Sequence, residues 1–293
     1  MSRPLDAVAA AIVVLLCLSW GFNQVAVKLA IPEIPPLIQA TIRSAGAALI
    51  MALWMRMRGI SFSLRDGTLV PGLAAGVVFG IEFILIFRGL LYTTATRAVV
   101  FIYLAPFFVV IGARWFLPGD RFHLSQWLGL GLSFAGMIVA FGLPTPAADP
   151  RQIIGDIMMV GGAITWAITT LIIKASALNR APAEKTLLYQ LVVSGVMMGI
   201  AAPLFGETMT AMPGAVALGA LAYQTLWVAS ITYVLWFGLM ARYSASRLSA
   251  FTFLTPLFGV AAGHLVLGDP LTPAFAAAVA LVAAGLILVN RRK

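Results

Sequence analysis

The sequence predicts an all-α integral membrane protein: ten transmembrane helices in two inverted five-helix repeats, with both termini on the cytoplasmic side. Three observations carry this expectation. Hydrophobic residues fill 61% of the 293 positions and charged residues only 10%. A soluble domain carries about 25% charged residues, so this chain could not clothe a globular surface. Apolar runs recur ten times between Pro, Gly and charge breaks, and a membrane helix needs about 20 such residues. Finally, the second half of the chain echoes the first.

In chain order the spans read as residues 6–31, 35–55, 67–90, 96–117, 124–143, 152–175, 183–205, 213–241, 245–267 and 272–290. Ten spans consume about 200 residues, which leaves short loops and no room for a sizeable extramembrane domain. The first run is too long for a signal-peptide core, contains Asn23 and Gln24, and is mirrored by a later span, so it reads as a helix. The second span holds Arg43 and the third Glu82, in a segment where Gly72, Gly76 and Gly80 share one face. The fourth and ninth carry Pro106 and Pro256 near their centres. The seventh and ninth have further pairs of glycines four apart, Gly195/Gly199 and Gly259/Gly263. All these glycine faces read as close helix packing.

Loop charge sets the orientation. With the N-terminus inside, the outer side carries four basic residues, Lys28, Arg88, Arg97 and Arg151. Of the 19 basic residues, Arg43 lies within a span and the remaining 14 fall inside, so the positive-inside rule places both termini in the cytoplasm. The same assignment gathers Glu33, Asp149, Asp156, Glu207 and Asp269 outside. The net charge of +9 is therefore read as helix anchoring rather than nucleic-acid binding.

The repeat is clearest between residues 97–117 and 247–267. Without gaps, Arg97/Arg247, Phe101/Phe251, Leu104/Leu254, Pro106/Pro256, Phe108/Phe258, Val110/Val260 and Leu117/Leu267 are identical. Seven matches exceed the roughly two or three that shared apolar composition supplies. Trp20 and Lys28 keep the spacing of Trp166 and Lys174, and Gly119-Asp120 recurs as Gly268-Asp269. The halves are residues 1–143 and 152–293. Five spans per half is odd, so the second copy must enter the membrane upside down, which is the architecture of alternating-access transporters.

These segments resemble the EamA repeat of the drug/metabolite transporter superfamily. The shared pattern is a small-residue and Arg turn, a helix with a central Pro, a Gly-acid pair and a Gly-containing last helix. It falls here on Arg97, Pro106, Gly119-Asp120 and Gly136, then on Arg247, Pro256, Gly268-Asp269 and Gly285. The Trp20 helix and Arg43 also fit, while the acid is Asp in both copies where the family usually has Glu. The resemblance spans nearly the whole chain. It implies a bacterial inner-membrane secondary exporter of amino acids and related metabolites. Its alternatives are a toxicant or multidrug exporter and a lipid-linked sugar flippase.

Candidate substrate contacts follow from depth and chemistry. Trp20 lies about 16 Å below the outer end of its span and Trp166 is similarly central, too deep for interfacial anchors. Either they pack between helices or they wall a cavity, where aromatic faces can hold a substrate ammonium. Tyr103, Phe253 and Trp227 are further lining candidates. Tyr103 and Phe253 each precede a paired Pro by three residues. Asn23, Arg43 and Glu82 share a layer about 10–12 Å below the outer face. Charges there face each other or a cavity, so Arg43 and Glu82 are expected as a charge pair or as ligands for charged cargo. Gln190 and Gln224 could bind a zwitterion or bridge helices. Pro106 and Pro256 should kink their helices, freeing the carbonyls of Ile102 and Thr252, and could pivot a gate.

The sequence is equally informative about other chemistries. Cys17 is the single cysteine and His123 and His264 the two histidines, too few for a convincing metal site. There is no phosphate-binding Gly-rich loop and no nucleophile–base constellation, so neither intrinsic ATP hydrolysis nor enzymatic catalysis is expected. No cofactor is called for. The expected partners are the bilayer and small zwitterionic or neutral metabolites, with no nucleic acid, and the expected state is a monomer or weak oligomer.

Overall fold

The computed structural model describes residues 5–120, 122–143, 149–268 and 272–290. Arg121, Asp269 and the basic residues at the two ends, Arg3 and 291–293, lie outside the described residues. Among those described, the elements are helices and turns. They are α1 (Ala7–Ala30), α2 (Pro36–Met57), α3 (Leu69–Gly89), α4 (Ala95–Ile102), α5 (Ala105–Phe116), α6 (Leu124–Phe141) and α7 (Pro150–Ala175). After a 3₁₀ turn (Ala177–Arg180) come α8 (Ala183–Leu204), α9 (Ala215–Ala222), α10 (Tyr233–Arg242), α11 (Ala245–Phe251), α12 (Leu254–Leu267) and α13 (Ala274–Asn290). Nine segments are long and apolar enough to cross a bilayer and α13 is a shorter apolar helix, so the ten expected spans are present.

Each start has a local cause. Asp6 accepts from the Ala9 N–H at 2.8 Å and so caps α1. Thr94 and Ser244 cap α4 and α11 at equivalent points of the repeat. Pro150 opens α7, where its missing N–H costs nothing. The exposed faces of Leu49, Leu53, Ile153, Ile157 and Leu204 point out of the bundle, where lipid replaces water.

Lipid gives helices no hydrophobic reason to associate, so close backbone approach holds the bundle together. A Cβ on Gly72 would come within 2.4 Å of Tyr189, and one on Gly76 within 2.7 Å of Val193, which seats α3 on α8. A Cβ on Gly285 would meet the Ser133 Oγ at 2.3 Å, and one on Gly129 the Gly285 carbonyl at 2.6 Å. The pair α6–α13 correspondingly shares the most extensive helix–helix contact among the described residues.

Helix pairing is unchanged when the halves are exchanged. α1 packs on α12, and its counterpart α7 packs on α5. α1 meets the span built from α9 and α10, and α7 meets α3. α8 meets α3, and α2 meets the α9–α10 span. The pairs α2–α8 and α6–α13 map onto themselves, as does the contact of the α4–α5 span with the α11–α12 span, made here through α5 and α11.

Two elements differ from expectation. The spans with central prolines are interrupted rather than kinked. α4 stops at Ile102 and α5 begins at Ala105, while α11 stops at Phe251 and α12 begins at Leu254. Tight i+3 bonds close the gaps, including Leu104 N–H to Phe101 O at 3.2 Å and Phe253 N–H to Ala250 O at 3.3 Å. The Thr252 carbonyl is consequently not freed, because the Thr255 N–H donates to it at 2.9 Å. Pro106 sits in the first turn of α5, where proline is well tolerated. The second difference is a π-helix, Tyr223–Thr232, that joins α9 to α10.

Polar side chains tie the ends together. Glu207, beyond α8, accepts from the Leu37 N–H at 2.8 Å and caps α2, whose own cap position is Pro35. Lys185 of α8 reaches Asp66 Oδ2 at 2.5 Å and also the Ser63 carbonyl, clamping the α2–α3 loop. The Lys185 ammonium, with the Thr68 hydroxyl, holds the Asp66 carboxyl at about 2, well below the usual carboxylate range. A depressed carboxylate stabilises the fold above its unfolded value and loses that contribution as pH falls towards the folded one. The Tm advantage of wild type over Asp66→Asn in detergent should therefore be constant from pH 5 to 8 and shrink between about pH 4 and 2. An advantage independent of pH down to 2 would contradict the clamp.

Candidate functional site

Aromatic rings connect four helices in the interior. Trp20, at the middle of α1, lies edge-on to Tyr233 and Trp236 of α10, with centroids 6.2 and 5.3 Å apart. Its indole N–H donates to Thr232 Oγ1 at 2.9 Å. Tyr233 meets Phe79 of α3 at 6.3 Å, and Phe79 meets Phe83 at 4.9 Å. The Arg43 guanidinium of α2 then lies over the Phe83 ring, 4.6 Å from its centroid. A continuous path of ring contacts thus runs from Trp20 to Arg43.

The π-helix aims residues at this path. Its wider turn puts positions five apart on one face. Trp227 and Thr232 accordingly both face α1: the Trp227 indole donates to Ser19 Oγ at 2.9 Å, beside the Trp20–Thr232 bond. Tyr223 adds a bond to the Ser19 carbonyl at 3.0 Å. Thr225 and Thr232 hydroxyls donate back to carbonyls four residues earlier, and Ser230 to the carbonyl five earlier. Such back-bonding offers the backbone alternatives to the α ladder.

The layer shared by Asn23, Arg43 and Glu82 holds unused polar capacity. The expected Arg43–Glu82 ion pair is not formed: among the described residues the ion pairs are Arg97–Asp156 and Lys185–Asp66. Arg43 chooses the Phe83 face, because Phe83 follows Glu82 on α3 and the ring lies under the guanidinium. Arg43 is 3% exposed and its Nε has no acceptor, while Glu82 is 7% exposed with no hydrogen bond among the described residues. Asn23 Oδ1 is likewise buried without a partner. Leaving charged or polar groups unpaired in a bilayer costs several kcal/mol.

The other candidates divide. Trp166 of α7 is edge-on to Tyr103 at 6.3 Å, and Tyr103 lies 6.2 Å from Phe253. Tyr103 and Phe253 are equivalent positions in the two repeats, and both sit in the helix interruptions, so the two breaks meet ring to ring. Phe253 is fully buried and also touches Phe107 and Phe134. Three rings, Tyr103, Phe107 and Phe134, close around it where the two interruptions meet. Gln224 is a helix bridge: its amide donates to Gln39 Oε1 at 3.0 Å, and Gln39 donates to the Ile34 carbonyl at 2.7 Å. Gln190 donates only within its own helix and leaves a buried Oε1, near the similarly unpartnered Ser44 and Ser194 along the α2–α8 contact.

Sequence reasoning missed Phe79, Phe83, Tyr233, Trp236 and Thr232. Their roles depend on contacts between distant helices, which a single-span pattern does not reveal. The signal that could have raised them is the aromatic density of Tyr233-Val-Leu-Trp236-Phe237 and of Phe79, Phe83 and Phe87 at helical spacing. One end of the bundle is latched by Arg97, whose Nε donates to Asp156 at 3.1 Å, joined by the Thr93 hydroxyl at 2.6 Å. At the opposite end Asp120 accepts from Ser244 Oγ at 2.5 Å and from the Ser246 N–H at 3.3 Å.

Comparison with known proteins gives a consistent picture. The profile of the EamA-like transporter family matches residues 7–142 and again residues 153–291. The uncharacterized transporter YvbV of Bacillus subtilis is 25% identical over 283 residues, covering 94% of this chain and 90% of its own. The uncharacterized inner membrane transporter YedA of Escherichia coli K12 is 22% identical over 280 residues, covering 94% and 88%. A solved crystal structure superposes with a TM-score of 0.84 at 20% identity over 97% of this chain and 96% of that one, which establishes a shared fold.

Proposed function

Since the chain belongs to the EamA-like transporter family, we propose that it is an inner-membrane secondary exporter of small zwitterionic metabolites, amino acids foremost. The observation that carries this reading is the presence of two buried ionisable groups at the end of the Trp20–Phe83 aromatic path: Arg43, whose Nε has no acceptor, and Glu82, which forms no ion pair among the described residues. A bound zwitterion would present a carboxylate to the Arg43 Nε and an ammonium to Glu82, meeting both needs at once. Its side chain would rest against Trp20 and Tyr233.

Movement is proposed to follow from the repeat. The pairing pattern that survives exchange of the halves supports two inverted five-helix units, residues 1–143 and 152–293, and the loop charges favour both termini inside. Exchanging the conformations of the halves turns an outward-facing cavity into an inward-facing one. The helix breaks at Tyr103–Leu104 and Thr252–Phe253 are the pivots. Counterflow of labelled amino acids into proteoliposomes tests the reading. Saturable uptake above protein-free vesicles is expected, and uptake confined to cationic drugs or lipid-linked sugars would overturn the substrate class.

A further inference from the structure

A cavity opens where α3 ends, α7 begins and α8 ends. It has a volume of about 490 Å³, within the range of small-molecule sites. Two arginines, Arg88 and Arg151, stand at it with Tyr92. Below them the wall is apolar, built from Ile84, Ile154 and Met158, with Phe205 at the edge. Ile154 is 52% exposed and Phe205 44%, so this wall opens sideways out of the bundle, where a bilayer would lie.

Charge accounting on this face points to a missing anion. Basic residues are sparse here: Lys28, Arg88, Arg97 and Arg151. Arg97 is committed to Asp156. The other described acids of the face are committed too: Glu207 caps α2, Glu33 accepts from the Gly214 N–H, and Asp149 accepts from the Arg151 N–H. Neither the Arg88 nor the Arg151 guanidinium has an acidic partner among the described residues. Two of the few cations on this face therefore converge on one pocket with no protein anion to meet them. The Arg88 guanidinium is held 4.2 Å above the Phe205 ring. Stacking fixes its plane while leaving its N–H edge available for a bidentate acceptor.

We propose that this pocket seats an anionic phospholipid, its phosphodiester between Arg88 and Arg151 and the start of an acyl chain along Ile84, Ile154 and Met158. Guanidinium pairs match phosphate oxygens in geometry and charge. A free phosphate would satisfy the arginines but leave the apolar wall uncovered. A zwitterionic phospholipid brings its own ammonium towards two cations, which favours a headgroup of net negative charge such as phosphatidylglycerol. The seat bridges the ends of helices from both halves, α3 from the first and α7 and α8 from the second. The proposal needs only the membrane fold and stands apart from the substrate reading.

Native mass spectrometry of the intact protein, released from detergent containing equimolar phosphatidylglycerol and phosphatidylethanolamine, tests it. Wild type should retain one phosphatidylglycerol in clear preference. Arg88→Gln with Arg151→Gln should lower that retention at least tenfold while the protein still elutes as a folded species. Met158→Trp, which fills the apolar part and keeps both arginines, should lower it as well and covers the case in which the double variant does not fold. Thermal stability supplies the second arm: phosphatidylglycerol should raise Tm and inorganic phosphate alone should not. Equal retention of the two lipids, or undiminished phosphatidylglycerol in a folded variant, would overturn the proposal. So would a rise in Tm with phosphate matching that with phosphatidylglycerol, which would mark a free-anion site.

Discussion

Glu82→Gln should abolish most transport while leaving the amount of folded protein unchanged. The Glu82 carboxyl group is buried yet makes no hydrogen bond and no ion pair among the described residues, so the amide replaces it without breaking either. If it meets the substrate ammonium, the change removes a charge-assisted contact worth about 1.5–3 kcal/mol. That corresponds to a loss of about 10- to 150-fold in the apparent specificity of transport. Arg43→Gln should be as damaging to transport and more damaging to folding. It also forfeits the desolvated cation–π contact with Phe83, about 2 kcal/mol. Counterflow kinetics and size-exclusion yield separate the two effects. A fall in folded yield for Glu82→Gln that Arg43→Gln restores would instead reveal a structural ion pair. Uphill export driven by a pH gradient and surviving in Glu82→Gln would eliminate obligatory proton carriage by this residue.

Trp20→Ala should also stop transport. The indole makes two edge-on ring contacts and one hydrogen bond to Thr232, so truncation removes the surface proposed to hold cargo. Replacing a packed Trp by Ala costs about 3–5 kcal/mol where the site is fully buried, so Ala alone confounds function with stability. Trp20→Phe distinguishes them. It keeps a ring edge for Tyr233 and Trp236 while losing the N–H, a net stability cost of about 0.5–1.5 kcal/mol, and part of the indole's packing volume. Folded yield should be near wild type and transport reduced but measurable. Trp166→Ala loses a single ring contact, to Tyr103, and is expected to abolish transport with less effect on yield. Normal transport by both Ala variants would return the two tryptophans to helix packing.

The span boundaries were legible because hydrophobic length is a direct consequence of bilayer thickness. α1, α3 and α8 start and stop within two residues of the boundaries read from sequence. The interruptions at Tyr103–Leu104 and Thr252–Phe253 were half legible. Proline marks the place, but whether a helix bends or breaks depends on whether i+3 bonds and neighbouring rings close the gap. The π-helix left no trace, since its residues are as apolar as those of an ordinary span. Depth along each helix grouped Asn23, Arg43 and Glu82; Arg43 and Glu82 are buried and Asn23 is half-buried with a buried Oδ1, but depth could not say how they face one another. Arg43 turned out to lie on Phe83, a partner chosen by rotation about the helix axis. The acids of the outer loops read as a mere counterpart of the basic inner side; Glu207 and Glu33 in fact bind backbone N–H groups of other segments, and Asp149 caps the start of α7.

The most direct test of the central claim, that one interior site is reached alternately from the two faces, is thiol labelling at Asn23. In a Cys17→Ser background, Asn23→Cys would be reconstituted and exposed to a membrane-impermeant maleimide from one side at a time. The account predicts reaction from either face, with transported amino acid changing the two rates in opposite directions. Reaction from one face alone, unaffected by the amino acid, would contradict it.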